Sequence, residues 1–418
     1  MLQDSGLKER FAAYHAIVAW IEEGTLIREH ALSPFAMEIA LGVCRHHLRL
    51  RHAIHQGVKR MPTEKVQAIL EMGLYQLFFM DGVPDHASVS TSVELARSAS
   101  LGEGAVKLVS GVLRNAQRSG LPTLPTQNVL RISIGNSVPE WIVRRWLDEY
   151  GVVEAEERAK ETSEIPTQWI RVNTLRISLS KLREKLGLQG REYGDRYLEV
   201  PNGADKGPRL GALLASESFA QGLFSVQNPA AYDVVRLLEV APGHEIWDAC
   251  AAPGGKSALL AEMFGEASIL ASDVSSERLL YIQDLMGRLG LTNVKSALID
   301  ALHSEFDKKF DRILLDVPCS NMGVLSRRPE VLYRLKPEDF KTLPALQLSI
   351  LESASKALKP GGILVYATCS PERVETTRVI DLFLTNNSEF EAHGEPVRIG
   401  KNDMGLDHFF AQALMRKP

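Results

Sequence analysis

Two cysteines stand where a thiol can do chemistry. One lies in Leu315-Asp316-Val317-Pro318-Cys319-Ser320, the other in Tyr366-Ala367-Thr368-Cys369-Ser370. Each apolar run reads as a strand. Each cysteine falls at the polar end of its run and is followed by serine. A lone cysteine is usually a small buried hydrophobe, but two in the same setting point to a site. The thiolate is the reactive form, and a thiol with its usual pKa of about 8.5 needs positive charge nearby to supply it at neutral pH. Lys256 is the candidate for that charge. Cys44, on a helical pattern, reads as packing. Cys250 reads as a backbone contributor to a turn.

That turn is the second chemical stretch, Asp248-Ala249-Cys250-Ala251-Ala252-Pro253-Gly254-Gly255-Lys256. Ile246-Trp247 leads in as a strand and Ser257 to Met263 leads out as a helix. Gly254 and Gly255 carry no Cβ, so backbone N–H groups can approach a ligand closely. Gly255-Lys256-Ser257 looks like the end of a phosphate-binding loop. Such a loop needs glycine at position 250, where this chain has Cys250, so an adenosine ligand without a phosphate tail fits better. The next apolar run ends in Asp273, about where a dinucleotide-type fold puts the acid that accepts from ribose hydroxyls.

The elements that must carry these groups alternate from Glu245 onward. Strands are expected over 245–249, 268–273, 294–299, 311–316 and 362–368, with helices such as 276–289, 343–358 and 374–386 and an apolar stretch from Phe409 to Leu414. This is an α/β pattern: a parallel sheet with helices on both faces. Ligands in such sheets bind beyond the carboxyl ends of the strands, where both cysteines, the glycine turn and Asp273 all fall.

Upstream, about 120 residues read as helix. Phe11, Tyr14, Val18 and Ile21 share one face. Ser33-Pro34 reads as an N-cap with proline in the first turn. Val66, Ile69, Leu70, Leu74, Leu77 and Phe78 form another stripe. Leu121-Pro122-Thr123-Leu124-Pro125-Thr126 is a stiff linker. After a helix opening at Pro139, the strands Trp169–Asn173 and Tyr197–Val200 and the helix Leu179–Leu186 make a small α+β insert. The expected domains are therefore an all-α domain over 1–126, linker helices and insert over 127–222, and the α/β domain over 223–418.

Across 418 residues, 45% hydrophobic and 24% charged content fits a soluble globular protein. No run of about 18 apolar residues suggests a membrane span. Met1 to Ser5 lack the basic and apolar regions of a secretory signal. Four cysteines without zinc-type spacing imply neither a disulfide framework nor a metal, and a cytoplasmic location is expected. A net charge of −4 gives no general attraction to nucleic acid, so any such site must be a local basic patch. The most basic run, Arg45-His46-His47-Leu48-Arg49-Leu50-Arg51-His52, reads as a solvated helix face, with phosphate contact as the alternative.

Met72-Gly73-Leu74-Tyr75-Gln76-Leu77, Val83-Pro84-Asp85-His86-Ala87-Ser88-Val89, Val93-Glu94-Leu95-Ala96 and Val109-Ser110-Gly111-Val112-Leu113-Arg114 together resemble the NusB-type helical RNA-binding domain. With Asp248–Lys256, Asp316–Ser320 and Thr368–Ser370 in this order, nearly the whole chain resembles the RNA cytosine-C5 methyltransferases. Within them it is similar to the bacterial RsmB (Sun/Fmu) type, which modifies small-subunit ribosomal RNA. The resemblance implies an RRM-like insert and a Rossmann-like, seven-stranded domain that binds S-adenosyl-L-methionine. It places Cys250, Ala251, Ala252, Pro253, Gly254, Gly255, Lys256, Asp273, Asp300 and Asp316 at the cofactor. It makes Cys369 the nucleophile and Cys319 the aid to product release. The protein is expected to act as a monomer on an unpaired or flipped cytosine, with Arg171, Arg327 and Arg328 on RNA phosphates.

Physical chemistry supports such a mechanism. Carbon 5 of cytosine is a poor nucleophile. Adding a thiolate to C6 makes C5 an enamine carbon that can attack a sulfonium methyl, which is covalent catalysis dividing one hard step into easier ones. Asp316 can hydrogen-bond the N3/N4 edge of the base as C6 is attacked. The chain departs from the family pattern at Asn228, at Asn321-Met322, at Ser326-Arg327-Arg328 and at His408. An amino-methyltransferase would carry an Asn/Asp-Pro-Pro-Tyr/Phe loop where this chain has Asp316-Val317-Pro318-Cys319. A DNA cytosine-C5 enzyme would attack with the cysteine of the Pro-Cys motif.

Overall fold

The computed structural model describes residues 5–201, 208–307, 309–400 and 404–418. The segment Met1–Asp4, read above as lacking a secretory signal, lies outside them. Two compact units emerge: one from Met1–Ile165 with Leu325–Leu335, the other from Pro166–Val324 with Lys336–Pro418.

The first unit is helical: α1 (Ser5–Glu23), α2 (Pro34–Gly57), α3 (Glu64–Phe78), α4 (Asp85–Ser98), α5 (Glu103–Ser119), α6 (Asn128–Asn136) and α7 (Glu140–Ser163). Ser33 caps α2 as its sequence implies, its hydroxyl accepting from Ala36 N at 3.2 Å, with Pro34 in the first turn. Its core includes Ile17, Ile39, Leu50, Ile69, Leu74 and Leu113, all fully buried or nearly so. Gly151, at φ 79°, breaks α7 into two helical stretches. The compact unit continues past the expected boundary at residue 126. Helices α6 and α7 bury Ile132, Ile142, Val143 and Trp146, and group with the helices before the linker.

The basic run does not form the expected solvated face. His46 stacks on Phe79 with centroids 4.0 Å apart, and burial pushes its pKa down to about 4. His47 is buried, its Nδ1 2.7 Å from Glu71. Arg45 donates to Ser326 O and Arg49 to Pro122 O. Most of these polar groups are spent on the unit's own backbone and core, because α2 runs through the middle of the bundle and most of its faces are covered.

The second unit begins with a small antiparallel sheet. Its strands are β1 (Gln168–Val172), β2 (Glu192–Tyr193), β3 (Tyr197–Val200) and β4 (Phe224–Val226), in the order β2-β3-β1-β4. The insert thus runs past residue 222, because β4 pairs with β1. Short helices α8 (Leu179–Leu186), α9 (Leu210–Leu214) and α10 (Glu217–Ala220) accompany it.

The main sheet follows: α11 (Ala230–Arg236), β5 (Glu245–Asp248), α12 (Gly255–Met263), β6 (Ser268–Asp273), α13 (Ser276–Leu289), β7 (Val294–Leu298), β8 (Phe310–Asp316), α14 (Asp339–Ser355), β9 (Leu358–Thr368), α15 (Thr377–Asn386), β10 (Phe390–Ile399) and β11 (Phe409–Arg416). The strand order is β10-β11-β9-β8-β5-β6-β7. Strands β5 to β9 are parallel, and β10 and β11 add antiparallel pairs at one edge. Side chains alternate between faces along each strand. Ile246, Leu314 and Val365 join α11, α12 and α13 on one side. Trp247, Ile313, Leu315 and Leu364 join α14 and α15 on the other. This is the doubly covered, Rossmann-like architecture that the alternation predicts. Strand β10 escaped the sequence reading, because an edge strand carrying Glu391, His393, Gly394 and Glu395 has little apolar alternation.

Candidate active site

Chain order turns around at β5, which has β6 on one side and β8 on the other. That is the switch point where a crevice opens beyond the strand ends. A pocket of about 220 Å³ lies there, lined by Val226, Gln227, Asn228, Ala231, Asp248, Cys250, Ala251, Ala252, Pro253, Gly255, Lys256, Asp316 and Phe409. The glycine turn forms one wall. Gly254 has φ 99° and Ile282 backbone close behind it, where a Cβ would lie 3.3 Å from that Cα, so both conformation and space favour glycine.

Lys256 and Asp316 meet across the pocket with Nζ 2.5 Å from Oδ2. Burial alone would lower the lysine pKa, but Asp316, with smaller help from Asp248 and Cys369, holds the ammonium above its ordinary value. The Lys256 ammonium also lies 4.7 Å from the centre of the Phe409 ring, a cation–π placement. Asp248, at the end of β5, is 1% exposed. Its Oδ2 accepts from Ser257 Oγ at 2.6 Å, while its Oδ1 is buried with no partner among the described residues. Burial pushes its pKa up to about 7. Asn228 Nδ2 is also buried with no partner among the described residues.

Asp273, at the end of β6, is buried and accepts from Ala252 N at 3.3 Å and Ser275 N at 3.1 Å, with Arg278 at 3.2 Å. Asp300 lies just beyond β7 and caps a short turn, accepting from Leu302 N. Of the cofactor residues expected from sequence, Cys250 to Pro253, Gly255, Lys256 and Asp316 line the pocket. Gly254 supports the turn from behind. Asp273 and Asp300 sit at neighbouring strand ends outside its lining.

The two cysteines come together. Cys319 Sγ and Cys369 Sγ are 3.1 Å apart at the ends of β8 and β9. The hydrogen bond with Cys369 holds the Cys319 pKa below its ordinary value, against the burial that raises it. The same bond, with burial second, pushes Cys369 well above its ordinary range, while Lys256 pulls it down to a lesser degree. The pair therefore titrates as a unit. Asn321, at φ 59°, donates to Cys319 O at 3.1 Å, and its Oδ1 lies 3.5 Å from Cys369 Sγ. Gly323 packs beneath the pair, donating to Cys369 O at 2.8 Å. A Cβ there would run into the carbonyls of Cys369 and His408.

Arg171 corrects an expectation. Placed on RNA phosphates from sequence, it is 1% exposed. It donates to Glu262 at 2.8 Å, to Gly255 O at 2.9 Å and to Gln227 Oε1 at 2.5 Å. It fastens β1 to the start of α12 and is closed to a ligand. An arginine in a strand of an RNA-associated insert looks available in one dimension; only the fold reveals the buried acid facing it. Arg327 and Arg328 are half-buried and lie in the Leu325–Leu335 segment of the first unit.

Asp248 is the pocket residue that the sequence reading passed over, although it heads the turn motif. Its signal was a carboxylate directly after the buried apolar pair Ile246-Trp247 at the end of β5. Asn228, read only as a departure from the family pattern, lines the pocket as well, with Gln227 beside it.

Three family descriptions match the chain. They are the NusB family over residues 7–118, a ferredoxin-like domain of RsmF/B-like methyltransferases over 138–197, and 16S rRNA methyltransferase RsmB/F over 235–408. The chain is 33% identical over 366 residues to the probable ribosomal RNA small subunit methyltransferase B of Bacillus subtilis, covering 85% of this chain and 80% of that protein. It is 32% identical over 408 residues to ribosomal RNA small subunit methyltransferase B of Klebsiella pneumoniae, covering 91% and 89%. Among solved structures, a methyltransferase homolog protein from Pyrococcus horikoshii matches with TM-score 0.60 at 27% identity, over 70% of this chain and 100% of that one.

Proposed function

The chain belongs to the ribosomal RNA small subunit methyltransferase B family, and from that premise we propose that it methylates carbon 5 of a cytosine in 16S ribosomal RNA through a covalent adduct on Cys369. The observation that carries this reading is the 3.1 Å approach of Cys319 and Cys369 on strand ends next to the Lys256–Asp316 pair.

The pocket fits S-adenosyl-L-methionine. The buried, unpartnered oxygen of Asp248 and amide of Asn228 offer an acceptor and a donor to a polar, zwitterionic ligand. Asp248 and Asp316 suit its cationic groups, and the glycine turn admits it closely. Asp273 and Asp300 are the acids for its adenosine end. When bound, S-adenosyl-L-methionine supplies an electrophilic methyl group.

The remaining work falls to side chains. Cys369, its proton lost to solvent, bonds through Sγ to cytosine C6 while the ring nitrogen N3 takes up a proton. Lys256 favours the thiolate at Cys369, and Asp316 holds the amidine edge of the base. Carbon 5 then gains the methyl group, its proton passes to a base, and the C6–S bond breaks to return the Cys369 thiolate. Cys319, the more acidic and so more readily ionised thiol of the pair, stands beside the adduct to take that proton. The target base must be unpaired or flipped to reach this crevice.

The experiment is methyl transfer from radiolabelled S-adenosyl-L-methionine to small-subunit ribosomal RNA, with mapping of the labelled base. Label on 5-methylcytosine is the expected result. Label on any other atom, or none, overturns the reading.

A further inference from the structure

Behind the two cysteines lies a buried carboxylate to which the proposed chemistry gives no task. Glu375 sits in the turn Arg373–Glu375 after the Thr-Cys-Ser motif, fully buried. Its Oε1 accepts from Ser320 N and from Gln347 Nε2, both at 2.9 Å. Its Oε2 accepts from the Ser320 and Ser370 hydroxyls, both at 2.5 Å. Four donors occupy the acceptor sites of one carboxylate. Ser320 directly follows Cys319, and Ser370 directly follows Cys369.

We propose that Glu375 is the positioning residue that sets the distance between the two cysteines. Beside it, the Pro-Cys-Ser and Thr-Cys-Ser loops are joined by Gly323 N to Cys369 O at 2.8 Å and by the Ser320 hydroxyl to that of Ser370 at 3.2 Å, links that flank the cysteines without fixing both serine hydroxyls. With it, the residue after each cysteine is tied to one rigid group. The group is itself anchored. Gln347, on α14, also donates to Pro318 O at 2.9 Å. Tyr366, on β9, donates to the Glu375 carbonyl at 2.7 Å and to Gln347 Oε1 at 3.1 Å. A carboxylate serves this task better than an amide, since every group facing it is a donor. An amide there would turn the two serine hydroxyls into acceptors of its NH₂ and lose the charge that strengthens all four bonds. The serine after each cysteine is then explained: its hydroxyl is the handle by which the loop is held. The negative charge also bears on the thiols, because Glu375 raises the Cys319 pKa and opposes the lowering by Cys369.

The proposal rests on the two-cysteine reading above, but its test needs no RNA. Full-length protein is alkylated with iodoacetamide across a range of pH, and the modification of Cys319 and Cys369 is read separately by peptide mass spectrometry. In the unsubstituted protein Cys319 reacts at lower pH than Cys369. In Glu375→Gln the two profiles draw together by about one pH unit or more, because losing the thiol–thiol bond, the largest influence on Cys319, raises its pKa by more than losing the Glu375 charge lowers it. Turnover falls at least about tenfold, with KM for S-adenosyl-L-methionine within about twofold of the unsubstituted enzyme. A protein that stays folded by circular dichroism with both the gap and the turnover unchanged overturns the proposal. So do wild-type profiles that coincide. Should Glu375→Gln not fold, Ser370→Ala removes one hydroxyl link only; a narrowed gap supports the clamp and an unchanged gap overturns it. If the alkylation gap responds but neither Cys319→Ala nor Cys369→Ala traps RNA, the clamp stands and the covalent reading falls. The opposite pair of results leaves the covalent reading and removes the clamp.

Discussion

Cys319 and Cys369, 50 positions apart in sequence, bring their sulfurs to 3.1 Å because β8 and β9 are parallel neighbours, with Asp316 opposite Ala367. The next residues of both strands therefore emerge side by side from the same edge. Two thiols at this distance bond to each other, and the bond moves their pKa values in opposite directions.

The division of roles between them predicts different failures for the two alanine variants. Cys369→Ala should bind RNA and S-adenosyl-L-methionine yet form no covalent species. Cys319→Ala should form the adduct and release product slowly, so that a protein–RNA band survives denaturing electrophoresis. A trapped band in Cys369→Ala instead would reverse the roles.

Asp273 is predicted to hold the ribose hydroxyls of the cofactor. It already accepts from two backbone N–H groups, Ala252 and Ser275, so its carboxylate is held in place before ligand arrives. Losing a charge-assisted hydrogen bond costs roughly 1.5–3 kcal/mol. Asp273→Ala should weaken S-adenosyl-L-methionine binding by about tenfold or more in calorimetry; unchanged affinity would remove Asp273 from the site.

The arginines separate into two kinds. Arg171→Ala leaves the buried Glu262 carboxylate without its partner and should destabilise the protein by about 3–5 kcal/mol, measured by denaturant unfolding, with no change in the salt dependence of RNA binding. Neutralising Arg327 and Arg328 should do the reverse, lowering RNA affinity and flattening its salt slope with little loss of stability. A salt slope that responds to Arg171 and not to Arg327 and Arg328 would contradict both assignments.

Asp248 makes stability pH-dependent in a direction opposite to that of most carboxylates. Its ordinary pKa of 3.8 is pushed up to about 7 by burial. Between these values the unfolded chain has lost this proton and the folded protein keeps it. The stabilisation is complete below about 4 and is lost as pH rises toward and through 7. Asp248→Asn should remove this decline from a series of thermal melts, and cationic S-adenosyl-L-methionine should flatten it by favouring the ionised form. A native and an Asp248→Asn protein with parallel melt-versus-pH curves would contradict the shift.

Much of this protein is written along the chain. The alternation of apolar runs with helical stripes from residue 245 onward determines the α/β class, since period-2 and period-3.6 burial cannot be exchanged. The turn Asp248–Lys256 announces a ligand, because two adjacent glycines before a lysine at a strand-to-helix junction have few other uses. The motifs around Cys319 and Cys369 announce reactive thiols. What the chain could not reveal was partnership. Arg171 read as a cation open to RNA until folding set Glu262 against it. The basic run on α2 read as a wet face until the bundle closed around it. Glu375 carried no signal at all, since a glutamate after a strand is ordinarily solvated. Each of these depends on which group lies across a gap of about 3 Å, and contacts between residues distant in sequence are decided only when strands and helices pack.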